Sequence, residues 1–441
     1  MNASTSSRRA LLTVGLLAAG SWPATPHAAL AQRAADVRRA PAPRSARPPL
    51  VIISLDGFRW DYLDRGLTPN LSRLAARGVR ARALVPAFPT KTFPNHYTLV
   101  TGLQPEHHGI VDNVMRDPAT GAWFRINDSA AVRDARWWGG EPLWATAARQ
   151  GVLSATVFWP GSEAPIGGVR PTQWLPYDGR MPNSARTTQV VDWLDLPPDA
   201  RPDVVLLYFS LTDDAGHRFG PDSPQLDSAV SSVDAEIGEL LEVLDSHGLG
   251  AARLNVVVVS DHGMAAVDTS RVVVLDDYLD PQVVRLVDAG PLLTLDPASG
   301  FADSVARALG RIPHLSAFRR EETPARWHYR DIPRIPAFVG VAEGGWQVVP
   351  RAPLRQRPQG FIGGSHGFDN ADAAMHGILV AAGPAFRRGA VVEALGNVHV
   401  YELLCRAAGL RPGPNDGSPD SVRAFFPSRQ PSAVSRRRGV R

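Results

Sequence analysis

The chain has 441 residues, 44% of them hydrophobic and 20% charged, an ordinary globular composition with room for one large domain or two. Its formal charge is +4, but the excess sits on the ends: residues 1–48 carry seven arginines and one acid, and residues 422–441 carry six arginines and no acid. Between them 42 acids face 34 bases, which argues against a nucleic-acid-binding face and for an acidic core that holds cations.

The N-terminal residues 1–31 read as an export signal. Arg8 and Arg9 precede an apolar run over 10–20, and Ala29-Leu30-Ala31 supplies a cleavage site. Ser7-Arg8-Arg9 before Ala10-Leu11-Leu12 is close to a twin-arginine signal, so a periplasmic or secreted protein is expected. The run is too short for a permanent transmembrane anchor. Cys405 is the sole cysteine, which excludes an internal disulfide. Residues 32–48, rich in Ala, Arg and Pro, read as a flexible linker.

A catalytic domain is expected over 49–426. Its first strand, 50–55, ends abruptly at Asp56-Gly57, and a short helix follows from Thr68 to a Gly78 stop. Residues 88–113, FPTKTFPNHYTLVTGLQPEHHGIVDN, form the stretch on which the reading turns. Thr92 reads as a helix N-cap, with Pro94 in the first turn and Gly102 as the stop. A hydroxyl there faces unpaired N–H groups and the positive end of the helix dipole, which favour an alkoxide and a bound phosphate. Taken alone, Thr92 reads more readily as a structural cap; the residues elsewhere in the chain reverse that. Lys91, beside it, is the only lysine among the 47 basic residues, a compact ammonium where arginine is used everywhere else.

Further on, an amphipathic helix follows Trp137-Trp138, a strand spans 153–159, and 159–179 forms a Pro/Gly-rich loop too long to be only a connector. A strand over 203–210 runs into Asp213, Asp214 and His217; a helix spans 224–246; a four-valine strand over 255–264 ends at Asp261-His262. Residues 265–360 read as a smaller appended region with one helix at 301–312. His366 lies in a Gly-Gly-Ser-His-Gly loop, a strand covers 376–383, a helix closes at 398–410, and an Arg/Ser-rich tail over 427–441 is expected to be disordered. Alternating apolar strands and helices predict an α/β fold: a largely parallel central sheet with helices on both faces.

Three strands thus end in carboxylates, at Asp56, Asp213 and Asp261, with His217, His262 and His366 close by in sequence or loop type. Mixed Asp/His donors suit zinc, and six of them supply three ligands to each of two ions, the arrangement of an in-line phosphoryl displacement. Each residue alone has a bland reading as turn, cap or core residue; the set as a whole does not.

The segments SLDGFRWDYL, PTKTFPNHYTLVTGLQPEHHGIVDN, WWGGEPLW, FWPGSEAPIGGVRPTQWLPYDG, DDAGHRFGPDS, VVSDHGM and GGSHGFDN, in this order, resemble the nucleotide pyrophosphatase/phosphodiesterase family of the alkaline phosphatase superfamily. The resemblance implies an alkaline-phosphatase-like fold and two Zn2+ ions, one held by Asp56, Asp261, His262 and the Thr92 oxygen, the other by Asp213, His217 and His366. It also implies a covalent nucleotidyl-threonine at Thr92, later hydrolysed to a nucleoside monophosphate. Asn113 would donate to a phosphate oxygen, and Phe93 and Tyr177 would sandwich the base; Lys91, singled out by composition and not by the resemblance, is expected beside the substrate. Two departures stand out. Leu211-Thr212 replace a common Glu-Pro pair, and Asp214 adds an acid that could in principle replace Asp213 as ligand, although only Asp213 keeps the four-residue spacing to His217. The expected substrate is a nucleotide diester or nucleoside triphosphate, acted on by a monomer with no specific nucleic-acid partner. Alternatives are a phospholipid- or choline-type phosphodiesterase, a phosphomonoesterase, and a binding protein without activity.

Overall fold

A computed structural model describes residues 47–355 and 362–428. The expected export signal, all but the last two residues of the linker, and all but the first two residues of the arginine-rich tail lie outside them. Among the described residues no helix is long and apolar enough to cross a membrane.

The main sheet has eight strands: β1 (Leu50–Leu55), β2 (Val79–Ala81), β3 (Ser154–Val157), β4 (Gln173–Leu175), β5 (Val204–Phe209), β6 (Asn255–Val259), and two late strands. The appended region contributes a separate four-stranded antiparallel sheet from β7 (Val284–Asp288), β8 (Leu292–Pro297), β9 (Leu315–Arg319) and β10 (Phe338–Ala342). The late strands are β11 (Leu379–Ala382) and β12 (Ala390–Val392), and the main order is β12-β2-β11-β6-β1-β5-β3-β4. Only β11 runs antiparallel to its neighbours, so the predicted largely parallel α/β sheet is what forms.

The central strand explains the layering. Every residue of β1 is buried, and successive side chains point to opposite faces. Leu50 and Ile52 enter one core with Tyr97, Trp144 and Tyr401; Val51, Ile53 and Leu55 enter the other with Leu71, Val190 and Val233. One face is covered by α2 (Thr92–Thr101), α3 (Leu143–Arg149) and α8 (Val400–Ala408). The other is covered by α1 (Pro69–Arg77), α4 (Asn183–Leu194) and α6 (Pro224–Ser246). A short α5 (Leu211–Phe219) links β5 to α6, and α7 (Ala302–Leu309) packs on the small sheet.

This topology positions the site. β1 lies between β5 and β6 in parallel register, with Leu55 opposite Phe209 and Ser54 opposite Val259. The carboxyl ends of all three strands therefore emerge side by side, one strand spacing of about 4.8 Å apart. The predicted strand 153–159 is shorter than expected: at Phe158 the backbone takes a positive φ of 65°, which a strand cannot continue through. The run of residues after Ser210, in which no element was expected, is the helix α5.

Candidate active site

Asp56 leaves β1 directly. The next residue, Gly57, has φ 65°, and a β-carbon there would sit 3.0 Å from Asp213 Oδ1; the turn and the approach of Asp213 both require glycine. Asp213 and His217 lie four apart on α5, hence on one face, and it is Asp213, not Asp214, that joins His217 and His366 in a cluster with ligand atoms within 4.8 Å of one another. His262 Nε2 lies 3.1 Å from Asp261 Oδ2 and 3.5 Å from Asp56 Oδ1, and 3.3 Å from the Thr92 hydroxyl. The structure thus brings Asp56, Thr92, Asp213, His217, Asp261, His262 and His366 into one cluster beyond the strand ends.

Thr92 is not the helix cap. Lys91 holds that position with no side-chain capping bond, and Thr92 is the first residue of α2. The reason lies in the backbone: Lys91 is extended, with φ −123° and ψ 154°, and its carbonyl accepts the helical bond from the Asn95 N–H, while the Thr92 hydroxyl reaches His262.

The three clustered histidines share one tautomer. Their Nδ1 atoms lie 2.9, 2.8 and 3.0 Å from the carbonyls of Gly263, Thr90 and Gly364, for His262, His366 and His217 in turn. A carbonyl only accepts, so each Nδ1 carries the proton and each Nε2 lone pair is left for the cluster. The carboxylates complement this. Asp56 Oδ1, Asp213 Oδ1 and Asp261 Oδ2 are buried without a hydrogen-bond partner. Unpaired buried carboxylate oxygens are costly unless something else neutralises them. Free imidazole lone pairs facing orphaned carboxylate oxygens fit a divalent cation.

The electrostatics agree. Burial, then repulsion from Asp261 and Asp213, pushes the Asp56 carboxyl well above its ordinary pKa, although Tyr208 donates to its Oδ2 at 2.6 Å. Burial also raises Asp213. Burial opposes the charge on Asp261, yet the His262 and His96 rings outweigh it and hold that carboxyl low. Burial, with the neighbouring His262 and His217 rings, pushes His366 well below the usual histidine value.

Around the cluster, Asn113 Oδ1 accepts from the Phe93 N–H at 2.9 Å, which leaves the Nδ2 group as the donor end of that amide. Phe93 is half-buried against Phe124 and Trp138, with ring centroids at 5.9 and 6.0 Å. Tyr177 is 53% exposed and meets Phe158 edge-on at 5.3 Å. Lys91 is not free beside Thr92: its ammonium is 2.9 Å from Asp288 Oδ2 on β7. Burial disfavours that charge, but Asp288 and Asp112 outweigh it and raise the pKa. Lys91 lines a cleft of about 660 Å³ with Asp214, His217, Arg218 and Gln347, next to the Asp213 cluster.

Sequence reasoning missed Ser54, His96, Asp112, Tyr208 and Asp288. The four-residue spacing of His96 from Thr92 was a readable signal, as was the place of Tyr208 near the end of the strand that leads into Asp213. The pairing of Asp288 with a lysine 197 positions away was not.

A mostly parallel sheet that carries its side-chain cluster beyond the strand ends is the general site plan of open α/β folds, and the likeness of this chain to known proteins makes it an alkaline-phosphatase-like hydrolase of the phosphodiesterase/pyrophosphatase type. The structure is similar to that of murine ectonucleotide pyrophosphatase/phosphodiesterase 5, in an inactive threonine-to-alanine form in complex with AMP. The TM-score is 0.81 at 37% identity, covering 86% of this chain and 100% of that one. In sequence the chain is 36% identical over 387 residues to human ectonucleotide pyrophosphatase/phosphodiesterase family member 5, covering 87% of this chain and 79% of the relative. It is 35% identical over 398 residues to a bis(5'-adenosyl)-triphosphatase of Xenopus laevis, covering 90% and 85%. The chain belongs to the type I phosphodiesterase / nucleotide pyrophosphatase family, whose model matches residues 50–369.

Proposed function

We propose that this protein is an exported di-zinc enzyme that hydrolyses nucleotide diesters and nucleoside triphosphates to nucleoside monophosphates, with Thr92 as nucleophile. The observation that carries the reading is the clustering of three orphaned carboxylate oxygens with the Nε2 atoms of His217, His262 and His366, and the Thr92 hydroxyl 3.3 Å from one of them, His262 Nε2. Asp56, Asp261 and His262, with the Thr92 oxygen, would hold one ion, and Asp213, His217 and His366 the other. Bound there, the ions would lower the pKa of the hydroxyl and neutralise charge on the phosphoryl group.

The chain's own groups account for the remaining steps. The Thr92 oxygen attacks phosphorus as the bond to the leaving oxygen breaks, and water later cleaves the threonyl ester to release the monophosphate. Asn113 Nδ2 donates to a non-bridging phosphoryl oxygen, an interaction that strengthens as charge develops. Phe93 and Tyr177 flank the base. Lys91, tied to Asp288, forms part of the wall of the neighbouring cleft and meets whatever group extends into it. Export rests on the signal read in residues 1–31.

The test is a hydrolysis panel on the zinc-loaded mature protein and its Thr92→Ala variant: a thymidine monophosphate aryl ester, ATP, an aryl phosphocholine and an aryl monophosphate. We expect preference for the nucleotides, and loss of turnover by at least about 10³-fold in Thr92→Ala with metal content retained. Preference for phosphocholine or the monoester would overturn the nucleotide reading, and an active Thr92→Ala variant would overturn the nucleophile.

A further inference from the structure

His96 differs from the other three histidines of the cluster. It is fully buried and sits one helical turn beyond Thr92, so it faces the same side of α2. Its Nδ1 is 2.9 Å from the Thr92 carbonyl oxygen, so Nδ1 carries the proton. Its Nε2 is 2.8 Å from the Ser54 hydroxyl on β1 and hydrogen-bonds to it. Both ring nitrogens are committed. Although His96 lies within ligand distance of Asp56 and Asp261, it has no lone pair to offer a cation while these two bonds stand.

What it does have is a place between the parts. The same Nδ1 is 3.3 Å from Asp261 Oδ2, one of the orphaned oxygens. The ring is wedged edge-on between Trp159 and Tyr208, at 5.3 and 5.2 Å, and Trp159 Nε1 donates to the His96 carbonyl at 3.2 Å. Tyr208 in turn donates to Asp56. One imidazole therefore touches the strand that carries Asp56, the backbone of Thr92 and the carboxylate of Asp261.

The geometry points to His96 as a positioning residue: it holds the Thr92 backbone and the Asp261 carboxylate at a fixed separation, so that the nucleophile and one metal-binding set keep their mutual alignment. This rests on the function proposed above. Groups that orient ligands from behind are typically worth about 10–100-fold in metal affinity or activity.

The test compares His96→Phe, which keeps the aromatic wedge but removes both bonds, with His96→Asn, whose amide can place a donor near the Nδ1 position. Readouts are kcat and KM on the thymidine monophosphate aryl ester, and zinc affinity by chelator competition, which needs no turnover. We expect His96→Phe to lose about 10–100-fold in kcat and in zinc affinity, with KM within about threefold, and His96→Asn to recover both to within about fivefold of the parent. Ser54→Ala, which removes only the hydroxyl that fixes the ring, should shift kcat the same way by about 3–10-fold; it decides the matter should His96→Phe not fold. A folded His96→Phe protein, or failing that Ser54→Ala, with kcat and zinc affinity within twofold of the parent would overturn the proposal, as would Asn no better than Phe. Retained turnover in Thr92→Ala would instead signal failure of the functional reading, since zinc affinity still reports on His96.

Discussion

Tyr177→Ala separates base recognition from chemistry. The ring is 53% exposed, and its contacts are edge-on with Phe158 at 5.3 Å and Tyr208 at 6.5 Å. Its loop is held by the backbone, where Glu163 Oε1 accepts from the Tyr177 N–H at 3.0 Å, and alanine keeps that bond. Stability should therefore change by no more than about 0.5 kcal/mol. Loss of one stacking face costs about 1–3 kcal/mol of binding, a fall of roughly 5–150-fold in kcat/KM. The assay compares kcat/KM for a thymidine monophosphate aryl ester with that for a methyl aryl phosphate, which has no base. Nucleotide turnover should drop within that range and the simple diester by less than about twofold. Equal losses on both substrates, or none on either, would refute a stacking role for Tyr177.

Two further outcomes follow from buried groups. Burial, then repulsion from Asp288, raises the Asp112 carboxyl to about 8, despite attraction from Lys91. The folded protein thus keeps a proton that the unfolded chain gives up near pH 4. Stability should fall as pH rises between those values, by up to about 1.4 kcal/mol per pH unit from this group, and then level off. Asp112→Asn should flatten that decline in urea-melting curves taken from pH 5 to 8; an unchanged slope would contradict the assignment. Tyr208→Phe removes the donor to Asp56 Oδ2 and should weaken zinc binding by about 10–100-fold, with kcat at saturating zinc nearly unchanged. Chelator competition and metal titration of activity would distinguish the two effects.

The layers of the fold were legible because the central strands are continuous apolar runs that stop at polar residues: Leu50 to Leu55 before Asp56, and the valines of β6 before Asp261. The helix α6 was read to its ends, since Ser223 caps it and its apolar residues repeat with helical period. The candidate ligands were legible by type and by place, since Asp56, Asp213, Asp261 and His262 follow closely on the ends of β1, β5 and β6, and the structure clusters them with His217 and His366. What escaped was set by tertiary contact. The α5 sequence, LTDDAGHRF, carries too few apolar residues to signal a helix, yet β5 and α6 enforce one. The small antiparallel sheet is built from short strands with mixed exposure, such as β7 and β9, which lack a clean alternation. Lys91 stood out by its uniqueness, but its partner comes from β7, and only the folded chain shows that the ammonium is held there. The commitment of both His96 nitrogens is likewise invisible until β1 and α2 are packed together.

The account turns on Thr92 attacking phosphorus, and the stereochemistry at phosphorus tests that step most directly. The zinc-loaded enzyme would hydrolyse a chiral nucleotide phosphorothioate diester in isotopically labelled water, with the configuration of the product read by phosphorus NMR. Two in-line displacements, one by Thr92 and one by water, predict overall retention. Inversion would mean a single direct attack by water and would contradict the covalent role assigned to Thr92.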